Sequence, residues 1–181
     1  MLGNHLNKMA KLLPDDYDFF PQTWMLPQDY KHFKEENSGK GGTYIVKPED
    51  SCQGKGIYLM KNIETLKPSD NYVVQKYLTK PHLIDSYKYD LRVYVLVNGI
   101  NPLRIYMYKD GLARFATHKY QKPEAKNLDD LFMHLTNYAI NKESENFIET
   151  NEGDGSGTKR SMKTVLDHIE QLHGTATMIK V

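Results

Sequence analysis

The first apolar positions of the chain, Leu2, Leu6, Met9 and Leu13, recur at three- and four-residue spacing until Pro14 interrupts them. That is the period of a helix with one buried stripe. No capping residue precedes it, so the chain opens almost inside a helix and reads as a truncated start. Residues 15–28 carry Phe19, Phe20, Pro21, Trp24 and Pro27 and predict an extended aromatic segment. Asp29 is placed to cap a short helix reaching Glu36. Asn37 to Gly42 is a polar, glycine-rich turn.

From Thr43 the period shortens to two. Residues 43–47 predict a strand, 49–56 a loop and 57–60 a returning strand. A helical turn at 63–66 leads to another apolar strand over 72–78. Residues 87–97 alternate most clearly: Tyr87, Tyr89, Leu91, Val93, Val95 and Val97 share one face, and Lys88, Asp90, Arg92, Tyr94 and Leu96 the other. A turn at 98–102 precedes a strand over 103–108, and Lys109-Asp110-Gly111 has hairpin-turn chemistry before a strand over 112–117. The result is an antiparallel meander. Residues 127–142 mix short helical and irregular character, and 143–158 are a polar, glycine-rich loop. Met162, Val165, Leu166, Ile169 and Leu172 then mark an amphipathic helix ended by Gly174. No internal repeat is visible.

Composition narrows the function classes. Apolar residues make up 39% and charged residues 26% of the 181 positions, as in ordinary globular proteins. Lys and Arg total 24 against 23 Asp and Glu, a net charge of +1, whereas a general nucleic-acid binder carries a clear basic excess. The 13 tyrosines, interleaved with lysines, also suit base stacking. Many fall on strand alternation instead, so nucleic acid is not an expected partner. Cys52 is alone, which excludes an intramolecular disulfide and a cysteine-rich zinc site. No apolar run is long enough for a membrane span and no signal-peptide pattern opens the chain, so a cytoplasmic location and no membrane partner are expected.

The chemistry starts from Lys88, Asp90 and Arg92. Such a row on a half-apolar strand is either a solvated face or the floor of a cleft where cations meet phosphate. Arg114, between Ala113 and Phe115 in a nearby strand, favours the cleft; Arg104 reads as outer surface. Lys47 closes an apolar strand and is followed by Gln53-Gly54-Lys55-Gly56, a loop able to bring backbone N–H groups and a cation to an anion. Neither a P-loop nor a Rossmann glycine fingerprint is present. Gln75, Lys76, Tyr77 and Leu78 end a strand that can present backbone groups to an adenine edge. Thr136 and Asn137 follow Met133-His134-Leu135, a second polar cluster in which the role of His134 stays open.

Taken in order, Tyr-Ile-Val-Lys-Pro, Cys-Gln-Gly-Lys-Gly-Ile, Val-Val-Gln-Lys-Tyr-Leu, Lys-Tyr-Asp-Leu-Arg-Val-Tyr-Val-Leu-Val, Gly-Leu-Ala-Arg-Phe-Ala-Thr and Met-His-Leu-Thr-Asn-Tyr resemble the tubulin–tyrosine ligase-like family. The glycine-loop form and Asn-Tyr-Ala-Ile-Asn-Lys resemble its polyglutamylase branch. The resemblance runs from about residue 2 to residue 165 with every block collinear.

It implies an α+β, ATP-grasp-like fold of antiparallel sheets with flanking helices, holding nucleotide between two lobes. The implied reaction joins free L-glutamate to glutamate side chains of tubulin tails. ATP phosphorylates the acceptor carboxylate and the incoming amine attacks the acylphosphate. In this reading Lys47 and Lys88 hold phosphates, Asp90 with Tyr89 orders the site, and Gln53 and Gly54 close over the triphosphate. Gln75, Lys76, Tyr77 and Leu78 form the adenine hinge, and Thr136 and Asn137 complete the nucleotide wall. Arg114, Tyr138 and Lys159 receive glutamate, and Arg92 neutralises the transferring phosphoryl group. Tubulin or microtubules are the implied partner, with a cytoskeletal location that includes the cilium or basal body.

The expected division is an N-terminal helical and extended segment over 1–42, the nucleotide-binding region over 43–142, and a loop with the start of a C-terminal region over 143–181. The resemblance puts the Mg²⁺ ligands, an acidic residue and a Glu-x-Asn pair on a late strand, beyond this chain. The strings at Glu35 to Asn37 and Glu149 to Asn151 lie in polar stretches and read as coincidence. The expectation is therefore a C-terminally truncated piece of an active glutamylase that is inactive by itself. The alternative is a short non-catalytic paralogue that binds nucleotide or microtubules.

Overall fold

In a computed structural model, residues 2–149 and 157–174 are described. The chain divides into two compact units, one of Met1–Pro81 with Gln121–Leu131, the other of His82–Tyr120 with Phe132–Val181. Both are α+β with antiparallel sheets.

The first unit opens with helix α1 (Leu2–Leu12), whose Asn7 amide donates to the Thr23 carbonyl at 2.8 Å. Its sheet contains β1 (Thr23–Met25), β2 (Tyr44–Pro48), β3 (Tyr58–Met60) and β4 (Tyr72–Lys76) in the order β1-β4-β2-β3. Helix α2 (Tyr30–Asn37) covers it. Trp24, Phe33 and Tyr44 meet edge to face, with Phe33 centroids 4.9 and 5.3 Å from the other two rings. Val46 and Val74 are fully buried beside them. The Tyr44 hydroxyl, whose pKa burial raises, donates to Asn37 Oδ1 at 2.8 Å. Asp29 sits at the N-cap of α2, but its carboxylate accepts from the Met25 N–H at 2.8 Å, so it closes the preceding turn and makes no side-chain cap bond.

The second sheet joins β5 (Leu83–Ile84), β6 (Tyr87–Ile100), β7 (Leu103–Lys119) and β8 (Lys159–Ser161) in that order. Ile84, Ala113 and Phe115 pack with Val165 and Ile169 of helix α5 (Met162–His173), and Tyr87, Tyr89 and Leu91 lie against them. Ser161 Oγ caps α5 by accepting from the Thr164 N–H at 3.0 Å, and Gly174 ends it with φ 77°. Short helices α3 (Leu131–His134) and α4 (Tyr138–Asn141) complete the unit.

The predicted turn at Lys109-Asp110-Gly111 is not a turn. Strand β7 runs straight through it, because Val93 opposes Gly111 and Val95 opposes Met107, so Tyr108, Lys109 and Asp110 form a bulge. Gly111 is buried where a Cβ would strike the Arg92 carbonyl oxygen and approach Met162 Sδ at 3.3 Å. The glycine thus serves a close approach. Asp110 Oδ1 accepts from the N–H groups of Gly111 at 2.7 Å and Lys163 at 3.2 Å, which ties the bulge to α5. Beyond it, β6 and β7 continue as a two-stranded ribbon whose apolar side chains stand exposed, including Leu96, Ile100, Leu103 and Met107.

Candidate active site

The second unit brings three of the sequence-derived residues into one row. Arg114 opposes Asp90 of β6 on one side and Lys159 of β8 on the other. Cross-strand partners share a face. Arg114 donates from Nε to Asp90 Oδ1 at 2.9 Å and from Nη2 to Asp90 Oδ2. This two-point pairing raises the Arg114 pKa, outweighing the opposing effect of partial burial. The next row along the same face is Arg92, Leu112 and Ser161. Arg92 is exposed.

A cavity of about 270 Å³ opens on this face. Arg114, Thr136, Tyr138 and Lys159 supply its polar side, and Leu112, Phe115 and Phe147 much of the apolar wall. A guanidinium and an ammonium side by side on a partly apolar concavity suit a small carboxylate ligand. Tyr138 stands half exposed with its ring edge-on to Phe147, centroids 5.7 Å apart.

Asn141, which the sequence reading passed over, braces this cavity. It is fully buried and lines the wall. Its Oδ1 accepts from the Thr117 N–H and hydroxyl, both at 2.9 Å, and its Nδ2 donates to the carbonyls of Leu135 at 2.8 Å and Asn137 at 3.1 Å. One amide therefore ties β7 to the segment that carries Thr136 and Tyr138. The signal for it was a polar residue in an apolar helical turn. His134 is fully buried and packs edge-on to Tyr120, while its carbonyl accepts from Lys88 Nζ at 2.7 Å. Lys88 itself lies at a register shift of β6. Tyr89 stacks on Phe115 at 5.4 Å and its hydroxyl, with a pKa raised by burial, meets His82 Nδ1 at 3.0 Å. Arg160, on the opposite face from Lys159, lies 4.2 Å over the Phe115 ring.

The first unit holds the remaining predicted residues. Lys47 Nζ donates to Gln75 Oε1 at 2.9 Å, and Gln75 Nε2 donates to Thr23 Oγ1 at 2.8 Å. Burial lowers the Lys47 pKa. Gln53 and Gly54 have successive positive φ values of 60° and 88°, and Gly56 has 70°, so the loop curls tightly with the Lys55 N–H on the Cys52 carbonyl at 3.1 Å. At the end of β4 the Lys76 and Tyr77 N–H groups are held by the carbonyls of Gln22 and Thr43, both at 2.9 Å. Leu78 is exposed and, among the described residues, its N–H has no protein acceptor.

A pair of α+β units, one with a lysine–glutamine strand pair and one with an Asp–Arg–Lys row, is the frame on which the sequence blocks sit. Residues 1–181 match the tubulin-tyrosine ligase family throughout, and the chain belongs to that family. It is 52% identical over 174 residues to a probable beta-tubulin polyglutamylase of Tetrahymena thermophila, covering 93% of this chain and 15% of that protein. It is 44% identical over 173 residues to the tubulin polyglutamylase ttll6 of Danio rerio, covering 95% and 22%, and 48% identical over 167 residues to the human tubulin polyglutamylase TTLL13, covering 91% and 20%. The chain thus spans between 15% and 22% of the length of these relatives.

Proposed function

We propose that this chain carries nucleotide- and amino-acid-binding parts of an ATP-dependent ligase that adds glutamate to glutamate side chains of tubulin tails. The observation that carries the reading is the row Asp90, Arg114 and Lys159 beside the cavity lined by Thr136 and Tyr138. Arg114, oriented by Asp90, receives a carboxylate of the incoming glutamate, with Lys159 and Tyr138 on the same cavity. Arg92 offsets charge on the phosphoryl group in transfer. The family and the polyglutamylase names of the relatives support this assignment.

In this reading ATP supplies the phosphoryl group that activates the acceptor carboxylate. In the first unit, Lys47 and the Gln53-Gly54 loop act on phosphates, while Gln75 to Leu78 meet the adenine edge through backbone groups, the Leu78 N–H among them. In the second, Lys88, Tyr89, Asp90, Thr136 and Asn137 are assigned to nucleotide. Among the described residues no group of three or more His, Cys, Asp or Glu side chains is placed to hold a metal ion. The expected setting is cytoplasmic and cytoskeletal, cilium or basal body included. No helix of the described residues is long and apolar enough to cross a membrane.

The test is incorporation of labelled glutamate into tubulin by a protein containing this chain, with Mg-ATP. Lys88→Ala and Asp90→Ala are each expected to abolish incorporation while the circular dichroism spectrum is retained. Full activity in both variants overturns the assignment.

A further inference from the structure

At one end of the first sheet, lysines gather around a cavity that shares Lys76 and Tyr77 with the proposed adenine hinge but whose Lys61 and Lys122 the ligase reading does not use. Thr43, Tyr77 and Pro123, all buried, form the floor of this space of about 430 Å³, and Lys61, Lys76 and Lys122 stand exposed on its walls. Strand register explains the gathering. Tyr44 of β2 faces Met60 of β3 on one side and Lys76 of β4 on the other. Lys61, next after Met60, and Lys76 therefore lie at the same sheet end, two strand spacings or about 10 Å apart.

Among the described residues, no carboxylate and no arginine lines the cavity. Among the described residues none of the three lysines has an ion-pair partner, whereas Lys31, Lys34, Lys126, Lys142 and Lys163 each have one. In a chain of net charge +1 this is a local concentration of like charge, and like charges on one concavity favour an anionic occupant.

We propose that this cavity docks an acidic peptide rich in glutamate side chains. That the peptide is the acceptor tail, or the glutamate chain grown on it, rests on the ligase reading. An extended peptide sets alternate side chains about 7 Å apart and every third about 10 Å apart, within reach of ammonium groups at the spacing described. Lysine suits such a ligand because a point charge on a flexible stem accepts carboxylates in several registers, whereas an arginine fork selects one planar geometry.

The test uses the 181-residue chain without nucleotide, a fluorescent glutamate-rich peptide, and a glutamine-rich peptide of equal length, read by anisotropy. The glutamate peptide binds saturably, more weakly as salt rises, and the glutamine peptide does not. Lys61→Glu with Lys122→Glu weakens binding on the order of tenfold or more, while Arg104→Glu with Lys109→Glu, the same charge change on the exposed ribbon, alters it less than about twofold. Lys61→Gln with Lys122→Gln replaces the reversal if circular dichroism shows a fold change. Absence of binding, equal losses in both charge-reversal variants, or displacement of the peptide by ATP each overturns the proposal. A separate ATP titration keeps the two readings apart. Peptide docking without nucleotide binding sinks the ligase reading alone, and nucleotide binding lost in Lys88→Ala, without peptide docking, sinks this inference alone.

Discussion

Arg114 is bound at two points by Asp90, the residue directly across from it on β6, and is flanked on its other side by Lys159. The guanidinium is fixed in direction by its neighbour while still lining a cavity. Asp90 is more than a third exposed, with a side-chain accessibility of 37%, so water screens the pair. Its loss costs about 1 kcal/mol or less. Arg114→Lys keeps a positive charge but loses the fork. The expected outcome is a urea midpoint close to that of the parent and a glutamate affinity lower by about tenfold or more. Unfolding curves and glutamate titration check the two halves separately.

The phosphate role proposed for Lys47 predicts a pH limit on nucleotide binding. Burial lowers its pKa from the ordinary 10.5, so its charge is lost on the alkaline side before that of an exposed lysine. ATP affinity is expected to fall as pH rises through the lowered value, and Lys47→Arg to hold affinity to higher pH. Fold stability moves the other way. Between the lowered value and 10.5 the unfolded chain binds the proton more tightly than the folded one, so raising pH through that window stabilises the fold. Paired ATP titrations and urea curves across that range read both trends, and coincident pH profiles for Lys47 and Lys47→Arg would falsify the assignment.

Asn141 predicts a stability effect from a residue far less conspicuous than the charged row. Asn141→Ala removes one acceptor from two Thr117 donors and one donor from the Leu135 and Asn137 carbonyls. Buried groups left without partners cost about 2–4 kcal/mol together. Asn141→Asp keeps an acceptor for Thr117 but sets a buried carboxylate against the Leu135 and Asn137 carbonyls, and is expected to lose at least as much. Equal urea midpoints for all three proteins sink the bracing role.

The charged row was legible in the sequence because Lys88, Asp90 and Arg92 break an otherwise apolar alternation, and the apolar face opposite it holds as far as Leu91. Helix α1 and strands β2, β3 and β4 followed from the apolar period, whereas α2 was read from Asp29 at its start. Strand β8 was not legible: Lys159, Arg160 and Ser161 have no apolar alternation, and only pairing to β7 makes them a strand. Asp110-Gly111 misled for a physical reason. Turn residues and bulge residues are the same chemistry, and which one forms depends on the partner strand and on α5 behind it. Asn141 stayed hidden because two of its four bonds reach Thr117, 24 residues away in the chain.

Gly111→Ala tests that bulge. The added methyl meets the Arg92 carbonyl and presses toward Met162 Sδ, so β6, β7 and α5 must part locally. A loss of about 1–3 kcal/mol is expected in urea unfolding. An unchanged midpoint would show that the strand has room to give there.

The bulge also divides one strand into segments with different lifetimes. On one side of it, β7 is clamped between β6 and β8 and packed under α5. On the other, residues 103–108 have only β6 beside them and their side chains lie in water. A two-stranded ribbon is marginal by itself, so its amides open by fraying while those of residues 112–117 open only with the unit. Deuterium uptake along this single strand should therefore show a step at Lys109 to Gly111, fast before it and slow after, and Asn141→Ala should speed uptake on the slow side alone.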